Sequence, residues 1–296
     1  MSRSPLFLVL CGVWLGVGCR DDAPSPPLAS GGAPAAAEAS GQAALDLAAR
    51  TREAVDQALN PKHLPVYAGP TGSVKGIVKV SGDPPPLVPE MVAKLPAGAC
   101  PRAHDLQRKV FRQGVGDTLA DALVTVTEYP GFIAPKSEAV RVELKGCAFD
   151  ARVLAMTFGQ HFDVFNLDAQ SYMPRLVGTP SYALRVAMPG GSAVPIFAPR
   201  PGQYMLIDQT RDYIRADVYV LSYPTFDVTG LDGQFEISGI PVGDVKVSAY
   251  APAIAKLSEQ RVTIEAGVTK ELAFELVFSA AEFRERLASS PEPVTK

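Results

Sequence analysis

Few residues in this chain can do chemistry, and their scarcity is informative. There are three histidines, His63, His104 and His161, and none follows His161. The four cysteines are Cys11, Cys19, Cys100 and Cys147, and none follows Cys147. No G-x-S-x-G or H-E-x-x-H run is present, so a serine hydrolase elbow or a zinc-protease helix is not encoded. The acids Asp163, Asp168, Asp208, Asp212 and Asp217 could hold a hard cation, but no loop spacing of a calcium site organises them. His161 stands alone in an apolar alternation, where a surface or hydrogen-bonded role is commoner than ligation. His104 lies four residues after Cys100 without a second imidazole nearby. Asp208 and Arg211 are spaced to pair, either as a buried plug or as solvated surface charges. A non-enzymatic protein without a cofactor is the expectation.

The compartment is read from the first residues, "MSRSPLFLVLCGVWLGVGC". Arg3 gives a short positive start, and the apolar run from Leu6 to Val17 is too short to span a bilayer. With Gly16 and Gly18 before Cys19, the stretch resembles a bacterial lipobox, which implies signal removal at 1–18 and lipidation of Cys19. The pattern departs at Gly16, where leucine is usual; Leu15 sits one place early. The alternative is an ordinary secretory signal cut near Gly18. Cys11 leaves with the signal, and Cys19 takes the lipid. Cys100 and Cys147 then remain as a pair in an oxidising compartment, and a disulfide is expected; two buried free thiols are the alternative. Arg20, and not an aspartate, follows Cys19, which in well-studied bacteria directs sorting to the outer membrane, on its periplasmic or surface face. A net charge of -3 gives no basic surface for nucleic acid.

The elements that position these residues read as mainly β. Residues 19–42 are Ala, Pro, Gly and Ser with scattered acids, which cannot bury a core and form a tether. Residues 43–62 carry helically spaced apolar positions, stopped by "NP" at 60–61. From residue 72 onward, short alternating runs broken by Gly, Pro, Asn and Asp predict an antiparallel sandwich or barrel. Asp232-Gly233 reads as a hairpin turn between "FDVTG" and "QFEISGI", and "IPVGD" repeats the device. Residues 278–296 predict a helix capped by Ser279 and a loose tail. The Pro-rich stretch 188–204 reads as a long loop, with Pro195, Ile196, Phe197 and Pro199 as a candidate partner-binding face.

Two resemblances emerge from these runs. "GLDGQFEISGIPVGDVKVSAY" resembles the carboxypeptidase regulatory-like, or transthyretin-like, β-sandwich, and "GSVKGIVKVSG" resembles its opening strand. Residues 100–222, with "LADALVTVTE", "KGCAF" and "GQHFDVFNLD", resemble a cupredoxin, or plastocyanin-like, insertion in exported bacterial proteins. The organisation implied is an opening strand in 72–99, a cupredoxin-like Greek-key sandwich at 100–222 and a regulatory-like sandwich at 223–277. The cupredoxin resemblance implies a copper site of two histidines, a cysteine thiolate and an axial methionine. Aligned on that pattern, the ligand positions hold Tyr172, Asp208, Arg211 and Ile214. The resemblance therefore implies a degenerate site, with the Asp208–Arg211 pair as a polar plug beside Tyr172. The function expected is a lipid-anchored envelope protein that binds other envelope proteins. A carbohydrate-binding module is the alternative, and copper or electron transfer a weaker one.

Overall fold

The computed structural model describes residues 51–96, 100–179 and 185–289. The signal 1–18, Cys19, the tether 19–42 and the end of the tail lie outside the described residues. Two β-sandwiches make up the described chain. The first joins a sheet of β11 (Gln234–Pro241), β1 (Thr71–Gly82) and β14 (Thr269–Phe278), in that order, to a second sheet. The second sheet runs β10 (Phe226–Val228), β2 (Leu123–Thr127), β12 (Gly243–Tyr250) and β13 (Leu257–Ile264). Alternation drives this layering: Val74, Val78, Val124, Phe235, Val247 and Phe274 all turn into one core. Phe111 meets Phe278 edge-on there, with ring centroids 4.9 Å apart.

The second sandwich is built the same way. One sheet is β3 (Ala139–Leu144), β5 (His161–Asn166) and β7 (Val194–Phe197). The other is β4 (Val153–Thr157), β9 (Arg215–Leu221), β8 (Gly202–Asp208) and β6 (Pro174–Leu176). Phe149, Met156, Phe162, Val164, Leu206 and Val218 fill its core. Strand β4, "VLAMT", is buried at every position because it has two apolar faces. Leu154 and Met156 face this core, while Val153 and Ala155 pack with Leu123 and Tyr219 against the first sandwich.

Helix α1 (51–59) lays Val55, Ala58 and Leu59 on the second core, in keeping with the helical spacing read from its sequence. Helices α2 (Pro89–Lys94) and α3 (Pro101–Gln107) are too short for a periodic signal; each starts on a proline whose fixed φ suits a first helical turn. Helix α4 (Ala280–Ser289) begins as read, its Glu282 N–H bonded to Ser279 Oγ at 3.3 Å.

Three expectations need correction. Strand β2, part of "LADALVTVTE", pairs with β10 and β12 and so belongs to the first sandwich; the strands of the second sandwich begin at β3. Asp232-Gly233 is a tight turn, with Gly233 at φ 68°, but it is not a hairpin. Strands β10 and β11 on either side of it lie in opposite sheets, as do β11 and β12 around Val242, so both turns are arches between layers. The stretch 188–204 is not a long loop, because β7 forms within it and pairs with β5.

Candidate functional site

The ligand positions inferred from the sequence converge at one end of the second sandwich. The β8–β9 turn is closed by the Ile214 N–H donating to Arg211 O, and the Asp208 N–H donating to Ile214 O. Asp208 is fully buried, 0% exposed for its side chain. Its Oδ2 accepts the Met173 N–H at 2.6 Å. Its Oδ1 accepts the Thr210 N–H at 3.1 Å, the Thr210 hydroxyl at 2.7 Å and the Arg211 N–H at 2.8 Å. A buried carboxylate is tolerable only with such a set of donors. Arg211 is 31% exposed; its Nη1 lies 3.7 Å from Asp208 Oδ1 and its guanidinium stacks 5.3 Å from the Tyr172 ring centre.

Tyr172 is held by residues on the exit from β5. Its hydroxyl donates to Asp168 Oδ2 at 2.5 Å and accepts from Gln170 Nε2 at 2.7 Å. Asp168 also accepts the backbone N–H groups of Gly146 and Cys147, at 2.8 and 2.9 Å. Gln170 Nε2 lies 3.4 Å from Cys147 Sγ. Cys147 is bonded to Cys100, with Cα atoms 5.1 Å apart, so the expected disulfide is present. The network therefore runs from the disulfide to Tyr172, then through Arg211 to Asp208. Burial pushes the Tyr172 phenol far above its ordinary range, and acceptance by Asp168 adds to that. Burial also pushes the Asp168 carboxyl up. The donors from Cys147, Tyr172 and Gly146 outweigh it and hold the group below its usual value.

These residues do not fit a blue copper ion. Such a site needs two imidazoles and a thiolate. Here stand a phenol whose hydroxyl is engaged twice, a carboxylate already accepting four hydrogen bonds, a guanidinium and the buried aliphatic Ile214. Cys147 cannot supply a thiolate while it is in the disulfide. His104 Nε2 is 3.1 Å from Pro96 O. His161 stacks on Phe197 with ring centroids 4.8 Å apart, and its Nε2 lies 3.4 Å from Asp163.

The candidate partner-binding residues divide between inside and outside. Ile196 is buried in the second core because β7 alternates, which corrects its reading as an exposed residue. Phe197 is 54% exposed, Pro199 is exposed and Pro195 half-buried. Sequence reasoning missed Gln170, and took Asp168 only as one of several scattered acids. The run "NLDAQSY" does alternate Asp168, Gln170 and Tyr172, a spacing that could have suggested a shared face.

Comparison with known protein families and with characterised proteins finds no match. Among solved structures the chain has weak similarity to cupredoxins over about a third of its length. A reduced amicyanin variant shares 17% identity over 28% of this chain and 83% of its own, with a TM-score of 0.25. A Cu(I) amicyanin variant shares 17% over 33% and 97%, also at 0.25. A Cu-containing nitrite reductase from Thermus scotoductus shares 19% over 32% and 25%, at 0.24. The β-sandwich architecture rests on the strand pairing described above.

Proposed function

We propose that this chain is a non-enzymatic, lipid-anchored envelope protein. A regulatory-like sandwich and a cupredoxin-like sandwich together serve as a binding or scaffold component of an envelope complex. The observation that carries this reading is the Tyr172–Asp168–Gln170 and Asp208–Arg211 network on the residues that the cupredoxin resemblance aligns with copper ligands. A site whose buried carboxylate and phenol are fully engaged positions two loops and offers neither group as a free ligand. The Cys100–Cys147 bond suits an oxidising compartment. Lipid anchoring rests on the lipobox-like residues before Cys19. A glycan-binding reading keeps one specific support, the half-exposed Phe197 ring beside His161, since sugars stack on aromatic faces.

Crosslinking in intact cells, followed by purification and mass spectrometry, tests the proposal. A fixed set of envelope proteins at constant ratio is expected, with the chain in the membrane fraction. Replacement of Cys19 by alanine is expected to release it to the soluble fraction. Recovery as a monomer carrying polysaccharide would replace the scaffold reading with the glycan one.

A further inference from the structure

A second site lies away from the network, where the two sandwiches, α2 and α4 meet. It is a cavity of about 390 Å³, within the range of small-molecule sites. Its apolar walls include Val110, Phe111 and Val153, and two exposed leucines, Leu87 and Leu287, stand among its lining. Its charged lining is balanced, with Arg152 and Arg215 facing Glu90 and Asp121. Arg112 engages Asp121 through two bonds of 2.7 Å, and Lys94 holds Asp212 at 2.5 Å. Arg215 donates from Nε to Asp212 O at 2.7 Å and its Nη2 lies 3.7 Å from Asp212 Oδ2, Arg152 feels Asp121 and Asp217 only at longer range, and Glu90 is exposed. Burial pushes the Asp217 carboxyl up, against the pull of Arg152 and Arg215, which weakens its claim as a counter-ion.

Arg152 is the group that asks for a ligand. Its Nη1 donates to Leu106 O at 3.2 Å and Lys109 O at 2.5 Å. Among the described residues no carboxylate lies within ion-pair distance of it, and its Nε and Nη2 donate to no atom of those residues. Arg152 lines the cavity, and those two atoms are not among the sealed, partnerless ones of the described residues, which are Asp150 Oδ1 and Arg175 Nε. A partly buried guanidinium with no carboxylate in direct contact among the described residues, lining a mainly apolar cavity, matches a ligand with an anionic head and an apolar body.

We propose that this cavity binds a single-chain anionic amphiphile of the fatty-acid type, its carboxylate on Arg152 and Arg215 and its chain against Phe111, Val153 and the two leucines. The proposal is independent of the scaffold reading.

The test uses the intact chain in phosphatidylcholine nanodiscs with a diazirine-bearing dodecanoate, mapping the labelled peptides. Label is expected on peptides holding Leu87, Phe111 and Leu287. Excess dodecanoate should compete it away, and dodecyltrimethylammonium at equal concentration should not. Ala253→Trp, which fills the cavity from its side, should cut this labelling about tenfold, and Arg215→Gln should weaken competition by dodecanoate. Label dispersed over the surface, or equal competition by the cationic chain, would overturn the proposal even if a variant misfolds. Preferential labelling of the same peptides by a photoreactive phosphatidylglycerol would overturn the single-chain assignment.

Discussion

Asp208 and Arg211 look like equal partners in the sequence, but their environments make them unequal. Asp208 is sealed and satisfies two backbone N–H groups from its own turn and one from Met173, whereas Arg211 is partly solvated at 3.7 Å. Asp208→Ala is expected to lower stability by about 3–5 kcal/mol, and Arg211→Ala by about 1 kcal/mol or less. Thermal or urea unfolding followed by circular dichroism checks the ratio. Tyr172→Phe removes a hydroxyl-to-carboxylate bond and should cost about 1.5–3 kcal/mol. Asp168 adds a pH signature. Its folded carboxyl sits below the ordinary value, so its stabilisation is fully present above about pH 4 and is lost as pH falls through the lower folded value. Asp168→Asn should flatten the acid limb of a stability-versus-pH curve; an unchanged limb would remove Asp168 from the network. The Asp208–Arg211 spacing was legible because both residues lie in one turn. Gln170 was not, because its partners Tyr172 and Cys147 are brought to it by the strand exit and by the β3–β4 connection.

At the scale of elements, two constraints can be tested. The disulfide closes a separation of 47 residues and ties α3 to the loop that feeds Asp168. Its removal by Cys100→Ala with Cys147→Ala should cost about 3–4 kcal/mol in the loop-entropy account. Gly76 marks a close approach between the parallel strands β1 and β14. A Cβ there would stand 1.9 Å from Leu272 O, so the strands would have to part. Gly76→Ala should cost about 1–3 kcal/mol or more, with loss of amide protection along β14 in hydrogen exchange; protection unchanged from the native chain would contradict the packing. Strand existence was legible from alternation, and the pair Cys100–Cys147 from cysteine arithmetic. Strand partners were less so. The turn signals at Asp232-Gly233 and Pro241-Val242-Gly243 mark a reversal of direction, and a reversal within a sheet and an arch between sheets use the same residues. Only the burial demanded by both layers decides between them. The β7 strand was hidden for a related reason: prolines at 195 and 199 suggest a loop, yet the ladder tolerates Pro195 at a sheet edge.

At the scale of the whole molecule, the two sandwiches share a small apolar contact. Leu123, Val153, Ala155 and Tyr219 are buried there, and Tyr219 meets Tyr250 edge-on at 6.0 Å. The apolar run Val153–Met156 of β4 is the sequence trace of this contact, since a strand covered on both faces loses its alternation. The central claim about function concerns what the second sandwich holds at its end. Fold-level likeness to copper proteins does not make a copper site; the residues at the site do. The most direct measurement is the copper content and copper titration of the purified protein after expression in copper-supplemented medium. The account expects metal far below one equivalent and no saturable uptake at the network. One tightly held copper per chain, lost in Asp208→Ala or Tyr172→Phe, would contradict it.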